Sequence, residues 1–200
     1  MNRPPRKKEI QRIQVLWDYG ILDTVPEAVF DELTELAAII CAAPIALISL
    51  IDEKRQWFKS KVGISVNETS RDISFCAHAI QGEGLFIVPD ATKDKRFADN
   101  PLVKSAPKIR FYAGAPLVTP DGHALGTLCV IDKKPRQLRP EQKQALLNLS
   151  RHVMTQLELR RQARELVVTR DETARELDKA RTEIIRLKQR LAKRASGKKR

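Results

Sequence analysis

Cys76 and His78, two residues apart in SFCAHAI, are the side chains whose types first suggest chemistry, a metal or a haem. On a helix an i, i+2 pair points in different directions and does not grip one ion. Neither haem nor metal is therefore expected; the reading taken is a buried cysteine and a hydrogen-bonded histidine, at least one of them touching a pocket. Arg110, Arg96 and Lys59 can orient an anionic ligand, because guanidinium and ammonium groups grip carboxylate or phosphate. Solvated surface charge is the commoner role for each. Asp90, Asp94 and Asp99 read as turn formers or caps, with Asp90 standing where the chain leaves a strand. Trp57, Phe75, Phe97 and Tyr112 are placed around a cavity, with ordinary core packing as an equal alternative for each. Trp57, Phe75, Cys76, His78, Asp90, Phe97, Arg110, Tyr112, Thr127 and Cys129 make up the candidate ligand-binding set. No catalytic residue is assigned.

The elements that must position these groups centre on IRFYAGAPLVTPDGHALGTLCVID, Ile109 to Asp132. Apolar and small residues alternate on both arms, and Asp121-Gly122 lies between them where a type I′ hairpin turn needs positive φ. Alternation puts Phe111, Ala113, Ala115 and Leu117 on one face and Arg110, Tyr112, Gly114 and Pro116 on the other. The first face is plain core. The second, with a cation, a phenol and a glycine, has the orienting groups and the room that a pocket wall needs; a half-exposed sheet face explains it equally well.

Two hundred residues at 42% hydrophobic suffice for one globular domain with appendages. The formal charge of +12 is uneven, since residues 159–200 hold 15 Lys/Arg against 6 Asp/Glu. The basic signal thus belongs to the C-terminal segment. The start, MNRPPRKKEI, has no apolar stretch behind its charges and is not a secretory signal. The longest apolar run, Ala37 to Ile51, is shorter than a membrane span and broken by Pro44. Cys41, Cys76 and Cys129 are odd in number and lack metal-finger spacing, so a reducing cytoplasm is expected.

Along the chain, residues 7–18 read as a helix with Ile10, Ile13 and Trp17 at helical spacing. A second helix carries Phe30, Leu33, Leu36, Ala37 and Ile40 as one stripe and stops at Pro44. Ile45 to Ile51 reads as an inner strand buried on both faces, with Gln56 to Val62 as its antiparallel neighbour after a charged turn. A short helix from Ser74 to Ile80 and a strand from Leu85 to Val88 follow, within an irregular stretch from Asn67 to Lys108 that has the character of a lid. Strands at 109–118 and 124–131 come next, and Pro140 with Glu141 opens a last helix free of Pro and Gly until Gly197.

The words IALISLID, RQWFKSKVG, ISFCAHAI, PDATKDKRFADNPLV, IRFYAGAPLVTPDG and LGTLCVID, in this order, resemble a GAF domain, in particular the bacterial kind found ahead of histidine kinase or diguanylate cyclase output domains. The resemblance covers roughly residues 10–160. It implies an α+β fold: an antiparallel sheet flanked by helices, with the first and last helices on one face and the irregular segment roofing a small-molecule pocket on the other. It also implies a regulatory, non-enzymatic ligand-binding module. Fold does not choose the ligand. The attachment cysteine of a bilin-binding GAF domain is followed directly by histidine, whereas Ala77 intervenes here, and the phytochrome Asp-Ile-Pro signature is missing, so no covalent chromophore is expected. The Asn-Lys-x-x-x-Phe signature of cyclic-nucleotide-binding members is also missing. Three cysteines resemble the thiols of free methionine sulfoxide reductases, which are GAF enzymes. Cys41 in a helix and Cys129 in a strand, however, leave Cys76 as a thiol without a resolving partner. That reductase is kept as an alternative.

His152 in RHVMTQLELR lacks the acidic residue and proline of a kinase phosphoacceptor, and no glycine-rich ATP box or GGDEF-type sequence is present. From Leu159 a heptad fits, with Ala163, Arg170, Leu177, Ile184 and Leu191 at one seam position and Leu159, Leu166, Thr173, Ala180 and Leu187 at the other. Arg170 and Thr173 weaken the middle. A parallel homodimer is expected, because a lone helix of this length leaves its apolar stripe unpartnered. After Glu183 no acid follows while cations accumulate, so residues 186–200 are a candidate for nonspecific, salt-dependent nucleic-acid contact, with a solubilising end as the commoner reading. The expected division is a basic arm at 1–9, the GAF domain at 10–158, a coiled-coil signalling helix at 159–192 and a basic disordered tail at 193–200. The expected function is a cytoplasmic sensor that binds an unknown small molecule and signals through a dimeric coil to a separate partner protein. A nucleic-acid-associated dimer is the third alternative.

Overall fold

The computed structural model describes residues 6–197, and the side chains of residues 7–190. The chain divides into two compact units, one ending at Glu158 and one beginning at Leu159. The first unit is built on a six-stranded antiparallel sheet in the order β3-β2-β1-β6-β5-β4. Its strands are β1 (Ile45–Ile51), β2 (Arg55–Val62), β3 (Glu68–Ser70), β4 (Phe86–Val88), β5 (Phe111–Val118) and β6 (Ala124–Asp132). The helices are α1 (Arg6–Asp18), α2 (Ala28–Cys41), α3 (Phe75–Ala79), α4 (Pro101–Lys104) and α5 (Pro140–Gly197).

Each face of the sheet has its own core. Ala46, Ile48 and Leu50 of β1 and Phe111, Ala113, Ala115 and Leu117 of β5 meet α1, α2 and the Leu146–Leu157 part of α5. Ile45, Leu47 and Ile51, with Tyr112 and Cys129, meet the roof formed by α3, α4 and the chain between them. β1 is buried at every position, as its unbroken apolar run requires. The α+β fold with helices on one face and an irregular roof on the other is therefore as the sequence words imply.

Several local expectations are corrected by tertiary packing. In α1 the sheet-facing residues are Ile13 and Leu16, while Ile10 and Trp17 lie outward. The phase is set by Arg12, which is buried and donates to the Ile51 carbonyl at 2.7 Å and the Ala124 carbonyl at 3.4 Å, closing orphan ends of β1 and β6. Trp17 instead donates its indole N–H to Asp52 Oδ1 at 3.1 Å. In α2 the buried set is Phe30, Thr34, Ala37, Ala38 and Cys41, leaving Leu36 and Ile40 outside. Small residues let this helix lie close to the sheet, and Thr34 satisfies its hydroxyl on the Phe30 carbonyl at 2.8 Å. The helix stops before Pro44, at Ala42 in the left-handed region (φ 48°), where the Ala43 N–H reaches the Ala38 carbonyl in a Schellman closure.

The β5–β6 turn is also not type I′. Of its central pair only Gly122 has positive φ (82°), and the Gly122 N–H donates to the Thr119 carbonyl while the Thr119 N–H donates to the His123 carbonyl. This is a type I turn, started by Pro120, closed by a glycine bulge. β2 carries a bulge as well: Ile48 pairs with Ser60 and Ser49 with Phe58, so Lys59 is the extra residue. The bulge turns Lys59 toward α2, where its ammonium donates to Thr24 Oγ1 (2.9 Å), the Val25 carbonyl (2.7 Å) and Glu27 Oε1 (2.6 Å). Its side chain is fully buried and lies over the Phe30 ring. All three ammonium protons are used, so Lys59 ties the α1–α2 connection to the sheet rather than orienting a ligand.

In the second unit α5 continues helical to Gly197, past the expected boundary at 192. Leu159, Ala163, Leu166, Leu177, Ile184 and Leu187 are exposed along it. The Leu191 side chain and most of the basic 186–200 segment, with the rest of the predicted tail, lie outside the residues whose side chains are described.

Tyr112 folds its ring along β5 over Gly114: a Cβ added at Gly114 would come within 2.7 Å of the Tyr112 ring. Gly114→Ala is expected to evict the ring and lower stability by about 1–3 kcal/mol, the range for overpacking a core. Lys59→Met, which keeps the stem but leaves the Val25 carbonyl and Glu27 without their donor, is expected to cost about 1–3 kcal/mol. Urea unfolding followed by tryptophan fluorescence checks both; an unchanged midpoint refutes either assignment.

Candidate functional site

The roof begins at Ser74, which caps α3 by accepting the Ala77 N–H at 3.0 Å and donates its own hydroxyl to Gln56 of β2. Capping fixes the direction of the short helix and presents Phe75 and Cys76 to the sheet. At its far end the roof is held by Asn100, a residue the sequence reading passed over. Its side chain caps α4 by accepting the Leu102 N–H at 2.9 Å and donates to the Ile73 carbonyl at 2.9 Å, joining two distant stretches of the roof. The Asn100-Pro101 pair, a cap followed by proline at the first helical position, was the signal for it.

Between roof and sheet the expected hollow is filled by side chains. Phe75 stacks on Phe97 with centroids 4.0 Å apart and lies 5.4 Å from Tyr112. Phe86 meets the edges of Phe97 and Tyr112, and His78 meets Phe97 at 4.8 Å. Tyr112 and Phe97 are fully buried. The room left by Gly114, read from sequence as space for a ligand, is occupied by the ring of Tyr112 itself. Three clefts lie elsewhere on the described surface: one of about 560 Å³ is lined by Asp31, Glu35, Trp57 and Lys61, one of about 470 Å³ by Trp17, Asp52, Arg55 and Glu68, and one of about 260 Å³ by Pro116, Val118, Leu147 and Met154.

The aromatic cluster surrounds a small polar centre. The Tyr112 hydroxyl lies 3.2 Å from Cys76 Sγ, to which it donates, and 3.4 Å from Thr127 Oγ1. Cys76 Sγ and Cys129 Sγ are 3.8 Å apart. Ser49 Oγ, fully buried nearby on β1, makes no hydrogen bond of ordinary geometry. Burial opposes charge on Cys76, but hydrogen bonds from Cys129, Thr127 and Tyr112 outweigh it and hold the thiol below its usual range. Burial, reinforced by Cys76, pushes Cys129 well above the usual thiol range. Burial raises Tyr112 in the same way. The Tyr112 hydroxyl, aimed at Cys76 Sγ, is the donor that favours charge on that sulfur over Cys129. The expectation that Cys76 lacks a thiol partner is thus overturned: the α3 helix and β6 bring two sequence-distant cysteines together, which spacing along the chain does not show.

Seven of the ten candidate residues, Phe75, Cys76, His78, Phe97, Tyr112, Thr127 and Cys129, therefore lie in this cluster or on its rim. The other three are placed differently. Trp57 packs on the opposite face of the sheet, in the helix-side core, because side-chain alternation along β2 sends Phe58 and not Trp57 to the roof. Asp90 forms its turn by accepting the N–H and hydroxyl of Thr92 at 3.1 and 2.6 Å, and these hydrogen bonds hold its carboxyl below the usual range. Arg110 donates to the Val103 and Ile109 carbonyls, bracing the chain between α4 and β5. Arg96, paired with Asp94 at 2.6 Å, lies across Phe86 and Phe97 as an outer cover. Burial, then the charge of Arg96, lowers the His78 pKa and favours its neutral form. Among the described residues no three His, Cys, Asp or Glu side chains gather where a metal can be held, and no helix is long and apolar enough to cross a membrane.

Comparisons with known proteins agree with the sheet and roof. A protein of Pseudomonas aeruginosa named cyclic di-GMP phosphodiesterase is 45% identical over 159 residues, which are 78% of this chain; the chain spans 27% of that relative's length. The crystal structure of the GAF domain from an Acinetobacter phosphoenolpyruvate-protein phosphotransferase superposes with a TM-score of 0.56 at 17% identity, covering 78% of this chain and 95% of that one. The free methionine-R-sulfoxide reductase of Neisseria meningitidis gives 0.55 at 16%, covering 80% and 96%. At such identities the structural matches speak for the fold alone. The sequence model of the GAF domain spans residues 25–157, from the lead into α2 through the whole sheet and roof to the buried turns of α5, and the chain accordingly belongs to the GAF domain family, whose role is sensory and regulatory.

Proposed function

We propose that this chain is a non-enzymatic sensory module that dimerises in parallel through α5 and whose roof admits a small, noncovalently bound ligand. The observation that carries the reading is the stripe of Leu159, Leu166, Leu177, Ile184 and Leu187, each about half exposed or more, at heptad spacing. Burying one leucine is worth about 1.5–3 kcal/mol, so several layers on two chains outweigh the weakness at Arg170 and Thr173. A second copy of the same helix supplies that cover with no further partner.

The roof is packed in the present conformation, and a ligand enters only by binding an open form better than the closed one. Tyr112, Thr127 and Cys76 offer a few hydrogen-bonding groups inside a wall of Phe75, Phe86 and Phe97, which suits a small, flat, mainly apolar molecule with one or two polar atoms. Ordering the roof on such a molecule biases the seam of α5, and with it the partner protein that the coil engages, by about 1–3 kcal/mol of coupling. The P. aeruginosa relative bears the name of a phosphodiesterase, and the shared segment is 27% of its length. Our reading places regulation in that segment and hydrolysis outside it.

Two measurements test this. Light scattering on the purified chain is expected to give a dimer, and Leu166→Asn combined with Leu177→Asn to give a folded monomer. Leu177→Cys alone is expected to cross-link two chains at that position on mild oxidation, which a parallel, in-register coil permits and an antiparallel one does not. A monomeric wild type ends the proposal. Native mass spectrometry is expected to show a retained small molecule or its uptake from a metabolite mixture, with uptake lost in Phe97→Trp, which fills the roof further; no uptake by either protein refutes the ligand part.

A further inference from the structure

We propose that Cys76 and Cys129 form a peroxide-responsive dithiol that closes, on oxidation, into a disulfide joining the roof to the middle of the sheet. The two sulfurs are 3.8 Å apart although their residues are 53 positions apart in sequence. Both thiols are free and buried, one on a helix of five residues and the other on β6, the strand flanked by β1 and β5. Leu47 and Gly114 are the register partners of Cys129, so the bond anchors at the centre of the sheet. Bond formation requires the sulfurs to close from this contact to the roughly 2.05 Å of a disulfide.

The surroundings favour the chemistry in one direction. Tyr112 points its hydroxyl at Cys76 Sγ, and Thr127 and Ser49 stand beside it, so a negative sulfur at Cys76 is met by donors on the sheet side. Cys41 provides the internal contrast. It lies in the other core, and burial pushes its thiol up to about 11 despite Arg136. Cys76 is thus the attacking sulfur and Cys129 the resolving one.

The oxidant class is a small uncharged hydroperoxide, which crosses the roof during local opening. The Cys76 thiolate attacks one peroxide oxygen, the O–O bond breaks, and hydroxide or alkoxide leaves and takes up the proton that the thiol gave. The Cys76 sulfenic acid is then attacked by Cys129 sulfur, the S–O bond breaks, and water leaves with the Cys129 proton. In sum, two thiols and one hydrogen peroxide become one disulfide and two waters. The disulfide withdraws the acceptor of Tyr112 and fixes α3 to β6, so the product differs from the reduced form where the roof meets the sheet. The dithiol chemistry requires neither dimerisation nor a bound ligand, although Cys76 also faces the proposed ligand space.

The test uses the full chain and hydrogen peroxide near neutral pH, quenched with an alkylating reagent and analysed by intact and peptide mass. The expected result is loss of two of the three thiols, a mass lower by two hydrogens, a Cys76–Cys129 peptide link, and recovery with dithiothreitol. Cys76 is expected to react about tenfold or more faster than Cys41, as its thiolate character requires. Cys41→Ser is expected to behave as wild type, Cys129→Ser to stop at a dimedone-reactive Cys76, and Cys76→Ser to leave Cys129 unmodified. Equal oxidation of all three thiols, links only between chains, or no link at peroxide doses that oxidise glutathione overturns the proposal. The wild-type result needs no variant to fold.

Discussion

The roof of this domain is attached through one aromatic side chain laid over one missing methyl group. Tyr112 lies along β5 because Gly114 has no Cβ to stop it, and from that position its hydroxyl reaches Cys76 and Thr127 while its ring faces Phe75 and Phe86. Tyr112 thereby meets α3 at two consecutive residues, through the ring at Phe75 and the hydroxyl at Cys76. Phe97, brought in by the chain before α4, then closes on Phe75, and Arg96 covers the rings from outside. Such a cluster of offset and edge-on rings contributes beyond its buried area, by about 0.5–1.5 kcal/mol for each good pair.

The opposite face is held by paired charges, of which the Arg12 and Lys59 cations are buried. Arg12 caps strand ends through carbonyls while Glu9 receives both Arg12 and Arg71. Lys59 closes the path between α1 and α2 from a strand bulge. These cations make the helix layer specific in register, since any sliding of α1 or α2 strands a buried charge without its partner. The two faces therefore differ in kind: one is fastened by ionic and main-chain bonds, the other by rings around a polar centre.

Much of this was legible in the chain. The β5 alternation divided Phe111, Ala113, Ala115 and Leu117 from Tyr112 and Gly114 correctly, because a half-turn of strand per residue leaves no freedom in the assignment. Strand β1, the α3 segment and most of the roof residues were also recognisable from their words. Helix phases were not. In α1 and α2 the outer apolar residues Ile10, Trp17, Leu36 and Ile40 are as hydrophobic as the inner ones, and Arg12 and Thr34 turn inward only because the sheet offers them partners. Trp57 was misplaced for a related reason, since a strand buried on both faces has no polar side to mark its direction. Filling of the hollow and the meeting of Cys76 with Cys129 depend on distances across the fold, and no local pattern encodes those.

The order of the strands carries one more consequence. The sheet begins with β3 and ends with β4, each only three residues long. A strand so short presents few free amide and carbonyl groups in a row, so a neighbouring molecule finds no rail along which to add a strand of its own. At the β3 margin the exposed carboxylate of Glu68 adds a charge to that short rim.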